Sequence, residues 1–127
     1  MPQVTITYNV TTGLFQFNPD PLPVPYNADT TITWKVQATQ PTPGTTVQFP
    51  STGGIVFGPG WPGTTPVIDP DDPKKYSATD NNDASNTVGD FKYTTTLAVT
   101  DGQGQTTNPS FDPDVENQGP PPMVSRK

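Results

Sequence analysis

The chain has 127 residues, the size of one domain, with 29% hydrophobic residues, 18 prolines and neither cysteine nor histidine. Its formal charge of −6 leaves no basic footprint for phosphates and is repelled by an anionic membrane surface, so neither nucleic acid nor membrane is an expected partner. Without His or Cys the chain can build neither a Ser-His-Asp nor a Cys-His nucleophile, nor a zinc or copper centre of imidazole and thiolate.

Thr, Pro, Gly, Asn and Gln replace the missing apolar residues, and the apolar residues that remain fall in alternating runs. That pattern describes an ordered all-β domain with long loops, not a disordered chain. Proline costs about 3 kcal/mol inside a helix. The proline-free stretches 27–40 and 77–108 are rich in Thr, Val, Asp and Asn, which are poor helix formers, so almost no helix is expected. The opening MPQVTITYNV has neither the basic nor the apolar region of a signal peptide. No run of about 18 apolar residues exists to span a membrane. The compartment stays unassigned.

In chain order, residues 4–10 alternate with Val4, Ile6, Tyr8 and Val10 on one face, which predicts a half-buried strand, and residues 14–17 read as its hairpin return. The four prolines of residues 18–25 predict a crossing segment or a ragged sheet edge. Residues 30–38 predict a strong strand with Ile32, Trp34, Val36 and Ala38 facing the core. Residues 45–49 and 53–57 predict two more. Residues 58–86 read mostly as loop, with short strands at 65–68 and 76–78. A structureless loop of that length is unusual in a small domain. Residues 89–100 alternate best of all, and the Asp101-Gly102 pair predicts a hairpin. The return runs over 106–115 with Phe111 inward, and residues 119–127 form a polar, proline-rich tail after a domain of residues 1–118.

About seven short antiparallel strands separated by turns predict an immunoglobulin-like β-sandwich. GDFKYTTTLAVTDGQGQT resembles the final hairpin of bacterial immunoglobulin-like and PKD-type domains, through Tyr93, Leu97, Val99, Asp101 and Gly104. The closing FDPDVEN, with Asp112 and Pro113, resembles the DP-EP family of bacterial proteins, although no Glu-Pro dipeptide occurs. The resemblance covers residues 89–117 and implies a fold; one fold hosts many functions. In such a fold Tyr93 is expected in the core, its hydroxyl bonded to a loop backbone.

The acidic residues are eleven Asp and one Glu. Asp69, Asp71 and Asp72 lie in IDPDDP, and Asp80 and Asp83 in TDNNDASN; such hard oxygen donors are what calcium selects. The plainer reading is that these side chains make turns beside prolines. A carboxylate pair such as Asp71 and Asp83 would serve a glycosidase only if the two converged to about 5–10 Å. Trp61, set in GPGWPG, and Tyr76 are candidate platforms for a sugar. Alternatively Trp61 folds back and covers the open end of the core. The expected function is a non-catalytic binding or structural module of a bacterial protein. It would meet a protein partner through loops or an edge strand, or self-associate. The alternative is a carbohydrate-binding module using Trp61 and Tyr76, with structural calcium.

Overall fold

A computed structural model describes residues 3–39 and 43–119. The expected tail lies outside the described residues from Pro120 onward. In chain order the strands are β1 (Gln3–Asn9), β2 (Phe15–Asn18), β3 (Leu22–Val24), β4 (Ala28–Thr39), β5 (Thr46–Gln48), β6 (Ile55–Phe57) and β7 (Val67–Asp69), then β8 (Asp72–Asn82), β9 (Gly89–Thr96), β10 (Ala98–Thr100), β11 (Thr106–Thr107), β12 (Ser110–Phe111) and β13 (Asp114–Asn117). One 3₁₀ turn, Ser85–Thr87, precedes β9, and no α-helix occurs among the described residues. The fold is an all-β sandwich.

Among the described residues thirteen segments stand where about seven strands were expected, because single strands are broken into pieces. Leu97 interrupts β9 and β10. β5 and β6 follow one another along the same flank of that broken strand, and β11, β12 and β13 along the other. Outside β13 lies β3, paired in parallel, with Leu22 and Val24 turned inward and Pro23 outward. An edge strand tolerates that proline because no neighbour needs its missing N–H. The facing sheet runs β2-β1-β4-β8-β7, with β1 and β4 parallel and the other pairs antiparallel.

The two layers share one core. Ile32, Trp34 and Val36 alternate inward from β4, as expected, and meet Tyr93, Leu97 and Val99 from the other sheet. Trp34 contacts Tyr93 edge to face, with centroids 5.5 Å apart. The expected bond from the Tyr93 hydroxyl to a loop backbone is not formed among the described residues: the hydroxyl is buried beside the Trp34 indole N–H, too poorly aligned for a full hydrogen bond, and burial pushes its pKa upward. Phe111 is also not inward. It is half-exposed and stacks with Phe15 and Phe17 of β2, so these rings close one side of the sandwich between β2 and β12.

The largest departure from the sequence reading is β8. Residues 58–86 are not mainly loop, because 72–82 form an eleven-residue strand paired between β4 and β7. Its inward positions are Tyr76, Ala78, Asp80 and Asn82, so the alternation continues but changes from apolar to polar halfway along.

Candidate functional site

Trp61 sits in the segment that leaves β6 and returns to β7. Its ring stacks on Phe57 with centroids 3.7 Å apart and planes 5° from parallel, and makes a T-shaped contact with Phe91 at 5.9 Å. The indole N–H donates to the Thr64 carbonyl at 2.9 Å. Thr64 is itself tied to β8: its N–H donates to the Thr79 carbonyl at 2.8 Å, and its hydroxyl accepts from the Thr79 N–H at 2.9 Å. Gly63 fits because a Cβ there would lie 2.4 Å from both the Thr79 carbonyl oxygen and Trp61 Cζ2. Trp61 is therefore a half-buried cover on the core, with one aromatic face already occupied by Phe57.

Tyr76 is no sugar platform. It is buried, packs edge-on against Phe49 at 4.6 Å, and its hydroxyl accepts the Gly54 N–H at 3.0 Å. A Cβ at Gly54 would fall 2.6 Å from the Tyr76 ring, so glycine there makes room for the tyrosine. The two aromatics proposed to share a ligand thus both serve the core.

The acidic runs are separated by β8. Asp69 and Asp72 accept from the N–H groups of Asp71 and Lys74, at 2.8 and 2.9 Å, in the hairpin between β7 and β8. These are the side-chain turns that Asp favours. Asp80 stands eight residues further along an extended strand, roughly 26 Å from Asp72 at about 3.3 Å per residue. Asp71 and Asp83 flank the whole strand and stand roughly 35–40 Å apart by the same measure, which rules out their convergence. Among the described residues no group of three or more acidic side chains is placed to hold a metal ion. The expectation of calcium at Asp69, Asp71, Asp72, Asp80 and Asp83 is corrected accordingly.

Asp80 does not lie in a polar loop. It is fully buried, with Oδ1 accepting from Asn117 Nδ2 at 3.0 Å, and Asn117 Nδ2 also donates to the Thr87 carbonyl at 2.8 Å. Asp80 Oδ2 and Asn117 Oδ1 are both buried without a partner. Desolvation raises the Asp80 pKa from 3.8 to about 6, against the lowering effect of the Asn117 hydrogen bond. Beside them the buried Asn82 donates to the carbonyls of Val24, Pro25 and Gln118 and accepts from the Thr87 hydroxyl at 2.9 Å. This polar cluster ties β8 to β3, to β13 and to the 3₁₀ turn. Closed off from solvent, Asp80 reaches no substrate in this conformation.

What remains open is an edge. Among the described residues β6 pairs with β9 alone. The Gly54 carbonyl accepts from the Thr96 N–H at 2.9 Å, and Tyr93 N–H donates the other way, to Pro113. By antiparallel alternation, Val56 then turns its N–H and C=O to β9, while Ile55 and Phe57 turn theirs away from it; Ile55 is buried and Phe57 half-buried, so the edge is open at Phe57. Val56 is half-exposed. Along β6 runs a groove of about 290 Å³, lined by Val56, Phe57, Trp61, Gly63 and Pro66 among others. A separate hollow is lined by Phe57, Gly58, Asp90 and Lys92 among others; no described ion pair engages Asp90, and Lys92 is held by Asp114 at 3.5 Å.

The sequence reading placed a strand at 53–57 but did not single out Val56 or this edge. The one available signal was the glycine and proline bracketing of a three-residue apolar run. The buried cluster of Asp80, Asn82, Thr87 and Asn117 was also missed. Its signal was the period of two continuing from Tyr76 through Asn82. No family model, curated protein or solved structure matches the chain.

Proposed function

We propose that the chain is a non-catalytic, immunoglobulin-like binding module of the bacterial kind its final hairpin resembles. It takes an extended segment of a protein partner along the free edge of β6. The observation that carries this reading is the Phe57 main-chain groups turned away from β9, beside the groove that runs along β6. Strand addition satisfies such groups with the partner's backbone, and adjoining pockets take its alternate side chains. Across the core, Trp34 on β4 against Tyr93 on β9 supports the immunoglobulin-like arrangement.

Selection of a random eight-residue displayed library on the native protein and on Val56→Lys tests the reading. Val56 points away from the core, so a lysine there leaves the fold intact and places a charge on the edge, a device that blocks strand addition. Native protein should enrich peptides that the variant no longer holds. Peptides held equally by both, or no enrichment on the native protein, would refute docking on β6.

A further inference from the structure

Independently of the β6 edge, we propose that copies of this chain stack front to back. The pair Lys35 and Lys75 on the outer face of one copy seats on the pair Asp90 and Glu116 on the opposite outer face of the next. Both pairs are set by register. Lys35 on β4 stands directly opposite Lys75 on β8, and Asp90 on β9 directly opposite Glu116 on β13. Residues paired across strands share a face. Trp34, Val36 and Tyr76 beside the lysines are buried, as are Val115 and Asn117 beside Glu116. Both charged pairs therefore point outward, from the two facing sheets, on opposite sides of the sandwich.

Like charges placed directly opposite each other destabilise a sheet. Neither pair is relieved within the chain. The neighbouring strand β1 sets Thr5 beside Lys35, and β3 sets Pro23 beside Glu116. Asp69 lines a hollow with Lys75, yet its carboxylate accepts the Asp71 N–H, and no ion pair joins the two among the described residues. Lys92, two residues from Asp90, is held by Asp114 at 3.5 Å. One face thus keeps two uncompensated cations and the other two uncompensated anions.

A second copy relieves both at once. Thr33 and Ser77, the next outward pair on β4 and β8, set hydroxyls beside the lysines that can donate to an arriving carboxylate. The net charge of −6 repels copies at long range. At physiological salt the screening length is about 8 Å, less than the roughly 10 Å between packed sheets. Charges elsewhere on the two copies are then largely screened, while those in contact are not. Exposed ion pairs contribute little each, so the contact is weak, with a dissociation constant on the order of 1 mM. The two patches differ and lie on opposite faces, so each docked copy presents a free patch to the next. Association therefore adds copies in a row and does not stop at a dimer.

The test is sedimentation of the full chain over about 0.05 to 2 mM, which brackets such a constant. Two charge-reversed variants run alongside, Lys35→Glu with Lys75→Glu and Asp90→Lys with Glu116→Lys. The native mass should climb with concentration at about 0.15 M salt and fall back to one chain at about 1 M. Each variant alone should stay at one chain, and an equal mixture of the two should regain the native curve. Both variants remain net negative, so only complementary faces bring them together, and regained mass shows that both are folded. The milder Lys35→Gln with Lys75→Gln should weaken association about tenfold or more. A native chain that stays monomeric throughout, a Gln variant that associates as the native does, or folded charge variants whose mixture stays monomeric overturns the stacking. Association lost in Val56→Lys and kept in both charge variants would seat the second copy on β6 and overturn it as well.

Discussion

The indole of Trp61 lies flat on the ring of Phe57, 3.7 Å between centroids, and thereby links the β6 edge to the segment that returns toward β8. Stacking and burial give the residue a structural role whether or not anything binds beside it. Trp61→Ala should cost about 2 kcal/mol, below the range for a fully buried Trp because the residue is only half-buried. Gly63→Ala should cost about 1–3 kcal/mol, since its methyl meets the Thr79 carbonyl and the indole. Urea unfolding followed by circular dichroism checks both. Unchanged midpoints would mean that the loop does not support the core.

Asp80 gives the fold a pH dependence of definite sign. Its folded pKa of about 6 exceeds the ordinary 3.8, so the native state holds the proton more tightly than the unfolded chain. The contribution is complete below about pH 4 and is lost as pH rises through about 6. Asp80→Asn should raise stability at pH 7 by about 1–3 kcal/mol and flatten the profile between pH 4 and 6. Urea midpoints at half-unit pH steps read this out, and an equal slope in both proteins would contradict it.

Asn82 presents the opposite polarity. Its amide nitrogen faces three carbonyls and its oxygen faces a hydroxyl. Asn82→Ala should cost about 3 kcal/mol by leaving buried acceptors unpaired. The isosteric Asn82→Asp should cost at least as much at pH 7, because it turns a carboxylate onto carbonyl oxygens. Thermal melts of the two variants rank them. A milder effect of Asp than of Ala would show the cluster to be wetter than its burial indicates.

The same two residues show where the sequence was legible and where it was not. β9 was readable because Tyr93, Thr95 and Leu97 alternate against polar neighbours and a turn follows. β4 was readable for the same reason through Ile32, Trp34 and Val36. β8 was hidden because hydrophobic alternation stops at Ala78, while the inward positions Asp80 and Asn82 are satisfied by groups distant in sequence. β3 was half visible: its prolines indicated an edge without naming β13 as neighbour. Trp61 was open in the sequence between platform and cover. Only Phe57 stacked on its face distinguishes the two, and stacking across a turn leaves no periodic signal. The free edge of β6 was invisible because local pattern shows a strand, not which of its sides goes unpaired.

Calcium supplies a further test. A site with a dissociation constant of about 0.1 mM would add about 2.7 kcal/mol at 10 mM calcium. With the two acidic runs held at opposite ends of β8, 10 mM CaCl₂ should leave the melting temperature where chelator leaves it. A rise reversed by chelator would contradict the separation.

The most direct measurement of the central claim is amide exchange at Ile55, Val56 and Phe57, resolved by NMR in the free protein and with a peptide selected on it. An open β6 edge requires fast exchange at Phe57 in the free protein, slow exchange at the buried Ile55 and at Val56, and slowing at Phe57 when peptide is added. Slow exchange at Phe57 without peptide, or no change there on saturation, would contradict strand docking at β6.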